Sequence, residues 1–355
     1  MIPDVMQGVY LTGHGGPEFL VWKEDIPVPV PGPGQVLVQV LAAGVNNTDI
    51  NTRIGWYSAD VTGATDAVDQ EVEAGGHAGA LSFPRIQGGD LCGRVVAVGG
   101  DVSVPLGARI TGPINLPRPT PDQPTAYIAL GSEVDGAFAQ FCLVEAADIY
   151  DVSQSPLSDV EIAAIPCAFG TAENLLTRAG VAAGQRVLVT GASGGVGLAA
   201  VQLAKIRGAV VTGQTSAAKA DVVRDAGAAD ILERGQDPAP DSFDVVIDVV
   251  AGPAWGGLIA ALKPGGSYAV SGAIAGPIVE ADLREIYLRD ITIHGCTYQP
   301  PAVFGRLVDL MRDGKIRPLV SKTYPLSDIA TAQEDFMSKA FPGKLVLIPP
   351  QQELK

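Results

Sequence analysis

The sequence predicts an α/β protein in which a β-rich part is joined to a doubly wound parallel sheet. Three observations carry that prediction. At roughly 150 residues per domain, a chain of 355 implies about two domains. Before Leu157 the apolar residues fall in short branched runs between Gly and Pro turns, whereas beyond it strand-like and helical runs alternate, as in a sheet with helical crossovers. A glycine-rich turn, Thr190-Gly-Ala-Ser-Gly-Gly-Val-Gly197, falls between one such strand and one such helix.

The elements follow in order. Pro27–Gly34 is a rigid, turn-rich lead-in to a strand at 35–41. Further strands are expected at 94–98, closed by Gly99-Gly100, and at 137–144. Residues 58–82, rich in Ala, Gly and acid, and residues 113–131, rich in proline, read as loops inserted between strands. Ser158 with Glu161 three residues later signals a helix start. Strands at 186–190, 209–212, 243–248 and 267–270 then alternate with helices at 198–207 and at 217–226, the second stopped by Gly227. A last helix spans 303–313, stopped by Gly314.

Composition excludes some function classes. With 39 acidic against 24 basic side chains, the formal net charge of −15 disfavours general binding to nucleic acid or anionic membrane. No apolar run reaches the ~18 residues of a membrane span. The opening Met1-Ile-Pro-Asp lacks a basic and then apolar leader, and four scattered cysteines do not form a disulfide framework. The expected compartment is the cytoplasm.

The turn at 190–197 has the form of a dinucleotide fingerprint. Ala192 stands where the first glycine of Gly-x-Gly-x-x-Gly would be, and Gly194 and Gly197 fill the other two places. With Gly195 and Val196 they would bring backbone N–H groups and the partial positive charge of a helix N-terminus to a pyrophosphate. An NAD site usually carries an acid ~20 residues later for the ribose hydroxyl. Here the segment reads Gln214-Thr-Ser-Ala-Ala-Lys219, with no acid before Asp221. Thr215, Ser216 and Lys219 suit a 2′-phosphate, so the expected cofactor is NADPH.

Further motifs run along the chain: Gly44-Val-Asn-Asn-Thr-Asp49, Arg53-Ile-Gly-Trp-Tyr57, Gly88-Gly-Asp-Leu-Cys-Gly93, Gly136-Ala-Phe-Ala-Gln140, Cys167-Ala-Phe-Gly-Thr-Ala172, Asp313-Gly-Lys-Ile-Arg-Pro318 and Gly343-Lys-Leu-Val-Leu347. In this order they resemble the medium-chain dehydrogenase/reductase superfamily, and within it the zinc-free quinone oxidoreductase-like branch. The resemblance implies a GroES-like β-barrel catalytic domain from residues 1–156 and 300–355, with a Rossmann domain at 157–299 inserted between them. It implies homodimers paired through an edge strand, here Ile291–Gly295.

Zinc members of the family ligate the metal with Cys, the His of Gly-His-Glu, and a second Cys. Asn46, Gly89 and Cys167 stand at those places, and the 113–136 region lacks the four cysteines of a structural zinc lobe. An improvised set of His77, Asp90 and Cys167 would have to supply tetrahedral geometry unaided. No metal is expected. Asn46, at the vacated metal position, is either a hydrogen-bond donor to a substrate oxygen or the cap of a turn or helix. Asp49 and Arg53, four apart, are expected to pair with each other. By resemblance, Tyr57 faces the nicotinamide and offers a proton or hydrogen bond, Thr171 lies beside it, and Gly272, Gly343 and Lys344 lie close to the cofactor. The expected function is NADPH-dependent reduction of quinones or conjugated enones by hydride transfer. An alcohol dehydrogenase with a residual metal, or a non-catalytic cofactor-binding protein, are the alternatives.

Overall fold

A computed structural model describes residues 1–65, 76, 77, 79 and 81–352. Of the 58–82 stretch, residues 66–75, 78 and 80 therefore lie outside the described residues. The chain packs as two units. Among described residues one contains 1–60, 76–167 and 300–352, and the other 61–65 and 168–299.

The first unit opens with a hairpin of β1 (Val5–Leu11) and β2 (Leu20–Pro27). Next come β3 (Gln35–Gly44), the short helix α1 (Asn47–Arg53), β4 (Cys92–Val98) and β5 (Arg109–Thr111). The proline-rich stretch is not wholly loop, because β6 (Asn115–Pro117) and β7 (Tyr127–Ala129) pair antiparallel within it. Prolines end that ladder without preventing it, since Pro117 stands at a strand terminus. Then follow β8 (Phe141–Glu145), β9 (Tyr150–Asp151) and α2 (Asp159–Ala163). α2 starts on the expected capping box: Ser158 Oγ accepts from Glu161 N–H at 3.2 Å, and the Glu161 carboxylate accepts from Ser158 N–H at 2.8 Å.

Helix α3 (Pro166–Arg178) leads into the second unit. There β10 (Arg186–Val189), α4 (Gly195–Ile206), β11 (Val210–Thr215), α5 (Ala220–Ala226), β12 (Asp230–Glu233), β13 (Phe243–Asp248), α6 (Trp255–Ala260), β14 (Leu262–Val270), α7 (Leu283–Tyr287) and β15 (Thr292–Gly295) alternate. All six strands are parallel, in the order β12-β11-β10-β13-β14-β15. The central strands are apolar on both faces, as helix-covered parallel strands must be: Val187–Val189 and Val245–Ile247 are at most 1% exposed. Two turns outward from β10, to β11 and to β13, put a switch point at the end of β10, where such folds bind ligands.

The chain then returns to the first unit with α8 (Pro301–Arg312), β16 (Val320–Pro325), α9 (Ile329–Met337) and β17 (Lys344–Ile348). Its main sheet runs β16-β17-β3-β4-β5-β9, with β8 also paired to β3. Phe138, Phe141, Leu37, Leu91, Leu345 and Leu347 are among the residues of its core. Gly314, at φ +64°, stops α8 in the left-handed conformation that glycine adopts without strain.

Candidate active site

The second unit holds the dinucleotide turn. Its left-handed residue is Gly191 (φ +55°), one position before Ala192, so Ala192 keeps its methyl in the core at ordinary backbone angles. Gly194 is exposed, and a Cβ there would meet only Gly191 O at 3.4 Å. Gly197 is buried, and a Cβ would lie 2.2 Å from Gly191 O. The two glycines thus do different things: Gly194 leaves an open floor over which a phosphate can pass, and Gly197 lets α4 lie against the end of β10. The first-turn N–H groups at Gly195, Val196 and Gly197 have no carbonyl ahead of them in the helix. The turn fits a pyrophosphate. Thr190 below it donates to Asp248 Oδ1 at 2.6 Å, and Asp248 also accepts from Tyr268 Oη and from Val250 and Ala251 N–H, so this wholly buried carboxylate braces the turn.

At the end of β11, Thr215 is buried and its Oγ1 has no partner among the described residues. Ser216 stands at the N-cap position of the short turn that leads to Lys219, without a capping bond from its side chain. The Lys219 ammonium is held below its ordinary pKa, first by partial burial and then by the nearby Arg234 charge. Arg234, which follows β12 and gives its backbone N–H to Thr215 O at 2.8 Å, carries no motif and was not foreseen from the sequence. Gly272 follows β14, where a Cβ would sit 3.1 Å from Val249 O. Thr171 is half-buried on α3 in this unit.

In the first unit, Asn46 precedes α1 and is buried. Its backbone N–H donates to Asp49 Oδ2 at 2.8 Å, and its side-chain Oδ1 accepts from Lys344 Nζ. Lys344 Nζ also donates to Val45 O at 3.0 Å and to Asp90 Oδ2 at 2.8 Å, while Asp90 Oδ1 accepts from Cys167 N–H at 2.6 Å. Lys344 and Asp90 are 3% and 0% exposed at their side chains, so this is a fully desolvated ion pair. Tyr57 Oη donates to Thr48 Oγ1 at 3.0 Å, and burial raises its pKa above that of a free phenol. His77, which the sequence offered only as a metal ligand, lies against the Tyr57 ring with centroids 5.1 Å apart and against Tyr127 at 5.7 Å.

One pairing expected from spacing does not form. Asp49 does not reach Arg53, because α1 begins at Asn47 and its carboxylate turns back to cap the N-terminus, accepting from Asn46 and Gly88 N–H. Arg53 instead donates to Gln333 Oε1 at 2.9 Å and to Gly15 O. The Asn-x-x-Asp spacing of a capping box was the signal that favours this outcome.

Burial raises the Asp49 pKa from 3.8 to about 7, with the neighbouring Asp90 charge adding to the rise and the backbone N–H groups and Lys344 opposing it. Between these two values the folded state holds a proton that the unfolded chain has lost. Stability from this group therefore falls as pH rises from about 4 to about 7. Asp49→Asn should flatten that decline, read as the difference between the two proteins in urea midpoints measured from pH 4.5 to 8. Parallel curves would show Asp49 ionised throughout.

Comparison with known proteins agrees with both halves of this architecture. Residues 32–154 match the model of the alcohol dehydrogenase GroES-like domain, and residues 218–347 that of a zinc-binding dehydrogenase. A solved structure from Sinorhizobium meliloti, provisionally named an alcohol dehydrogenase, is 42% identical, with 98% of each chain covered and a TM-score of 0.88. This chain belongs to the medium-chain dehydrogenase/reductase superfamily. Among curated members, the quinone oxidoreductase of Lama guanicoe is 28% identical over 97% of this chain and 98% of its own. The acryloyl-coenzyme A reductase of Metallosphaera sedula is 28% identical over 96% and 99%. As a medium-chain member with GroES-like and Rossmann parts, the protein is an oxidoreductase that works with a nicotinamide dinucleotide.

The metal of zinc-binding medium-chain members does not fit the residues present. At one ligand place the Asn46 oxygen already faces an ammonium, whose charge opposes a cation. At another, a Cβ on Gly89 would lie 2.1 Å from Ile114 Cδ1, so no larger side chain is accommodated there as packed. Among the described residues no three His, Cys, Asp or Glu side chains are grouped to hold a metal.

Proposed function

We propose that this protein is an NADPH-dependent reductase of quinones or α,β-unsaturated carbonyls that works without metal, as a cytoplasmic homodimer. The observation that carries the reading is the Lys344–Asn46–Asp90 cluster. It puts an ammonium and an amide where the family's Lewis acid would stand. An unactivated alcohol or simple carbonyl needs that Lewis acid. A conjugated acceptor needs less help, because conjugation spreads the incoming negative charge.

A bound nicotinamide supplies hydride. The Gly194–Gly197 turn holds the pyrophosphate by backbone N–H groups, and Thr171 and Gly272 border the nicotinamide half. The Asn46 amide donates a hydrogen bond to the substrate oxygen as an enolate or hydroquinone anion develops. Tyr57, kept protonated by burial, supplies the proton or orders a water that does. Thr215, Ser216 and Lys219, with Arg234 beside them, receive the 2′-phosphate. Glu233, paired with Thr215 across the ladder, is the acid that would favour NADH if it met the ribose instead.

The cytoplasmic reading is supported by the absence of a disulfide among the described cysteines. The dimer reading is supported by β15, an edge of its sheet among the described residues, with exposed Ile293 on it and exposed Leu283, Tyr287 and Leu288 before it.

The test is a panel of a benzoquinone, a naphthoquinone, a short enone and an enal, each with NADPH and with NADH, plus ethanol and isopropanol in the reverse direction. The expected result is turnover of conjugated acceptors, faster with NADPH. The 42% identity to a protein named an alcohol dehydrogenase favours the second reading, alcohol oxidation. Alcohol turnover without reduction of any conjugated acceptor would establish it.

A further inference from the structure

We infer that Lys344 is a positioning residue: its ammonium turns the Asn46 side chain so that the amide NH2 is presented to the substrate, and it touches neither cofactor nor substrate itself. The inference rests on Asn46 being the donor to the substrate oxygen. It departs from the expectation that Lys344 meets the cofactor.

The reasoning is a count of hydrogens. An ammonium has three, and cannot accept. Lys344 directs all three at protein oxygens, namely Val45 O, Asp90 Oδ2 and Asn46 Oδ1. None is left for a phosphate. Because the ammonium only donates, the Asn46 atom against it must be the oxygen. The NH2 group is thereby turned away. One of its hydrogens has only Gly44 O, at 3.5 Å, the outer limit of a hydrogen bond, and the other has no acceptor among the described residues.

The rest of the cluster fixes the lysine. Asp90 is held from its other side by the Cys167 N–H at 2.6 Å. Gly44 makes room for it, since a Cβ there would fall 2.3 Å from Asp90 Oδ2. Asp49 anchors the Asn46 backbone, so the remaining freedom of Asn46 is its side-chain torsion, and Lys344 removes it. A buried amide with one NH2 hydrogen lacking an acceptor and the other in a long bond is costly unless a ligand uses it.

Lys344→Met alone would strand the buried Asp90 charge, so the test uses an Asp90→Asn background, where the double variant is neutral and Asp90→Asn alone leaves the ammonium with Val45 O and Asn46 Oδ1 to donate to. Asn46→Ala is made in the Asp90→Asn and Asp90→Asn/Lys344→Met proteins. The cycle is run on the best wild-type substrate of the panel, alcohols included. The choice of substrate then tests the reductase reading, and the cycle tests Lys344. The expected result is a kcat lower by roughly 100–1,000-fold on removing Lys344, the range for one preorganised donor. The dinucleotide Kd should stay within about twofold, and Asn46→Ala should add no further loss. Additive losses would overturn the inference, and so would a weakened dinucleotide with kcat intact. A crystal structure of Asp90→Asn/Lys344→Met decides without turnover. The Asn46 amide should be rotated or split between orientations, and an unchanged amide overturns the proposal.

Discussion

Gly194→Ala should weaken dinucleotide binding by about tenfold or more while leaving thermal stability unchanged, and Gly197→Ala should do the reverse first, unfolding the protein at lower temperature. The two substitutions add the same methyl three positions apart but into different surroundings. At position 194 it meets nothing closer than Gly191 O at 3.4 Å, an ordinary contact, so the fold is not disturbed. It does fill the floor that a pyrophosphate would cross, and the hydrogen bonds from the helix N-terminus lengthen. At position 197 it would sit 2.2 Å from Gly191 O and 2.6 Å from Ala192 Cα, both backbone atoms that cannot swing aside. α4 must then lift from β10. Overpacking of this kind costs about 1–3 kcal/mol, or a Tm lower by several degrees. Calorimetry with a fluorescence titration of NADPH and of NADH separates the two outcomes. Undiminished binding by Gly194→Ala would mean that the turn does not hold phosphate.

Asp90→Ala should destabilise the first unit by about 3–5 kcal/mol, because it leaves a desolvated ammonium with no counter-charge. The Cys167 N–H would lose its acceptor as well. Asp90→Asn/Lys344→Met removes both charges and should recover most of that loss, since the pair's attraction is largely offset by its own desolvation. Urea denaturation at pH 8 measures this. A cost below about 1 kcal/mol for Asp90→Ala would show that water reaches Lys344 Nζ.

What could be read from the sequence divides by range. Local signals were legible: the strand–turn–helix at 186–206, the Ser158–Glu161 box and the Gly314 stop each depend on residues a few positions apart. The parallel sheet follows from the alternation of strands and helices, but β12, four residues with a charged one at each end, was not among the strands read. Less legible were elements too short to show a period, such as β6 and β7, three residues each and flanked by proline. The first hairpin, β1 and β2, was hidden because its strands are only half-buried and carry Gly8 and a charged run at 23–25 in place of clean alternation. The site was legible in its members but not in its pairings. Asn46, Tyr57 and Lys344 were singled out, yet that Lys344 reaches Asn46, and that Arg53 reaches Gln333, 280 positions away, depends on the closed sheet. No window of sequence contains such a pairing. Arg234 was missed for a plainer reason: an arginine after a strand is ordinary.

The place of β17 has a consequence for how the protein is made. β17 lies between β16 and β3, and it brings Lys344 to Val45, 299 positions upstream. During synthesis β3, with Asn46, Asp49 and Asp90 nearby, leaves the ribosome long before their cation does. The parallel sheet, contained in 186–295, can form in the interval, since its strands need only one another. The first unit must wait with the Ala43–Gly44 end of β3 unpaired, β8 covering only its 35–39 part on that side, and with Asp90 lacking its counter-charge. An acid beside an uncovered strand end favours its hydration, and a strand end that stays charged and wet is slow to join another chain. The lysine that orders the finished site is therefore also the signal that its assembly is complete.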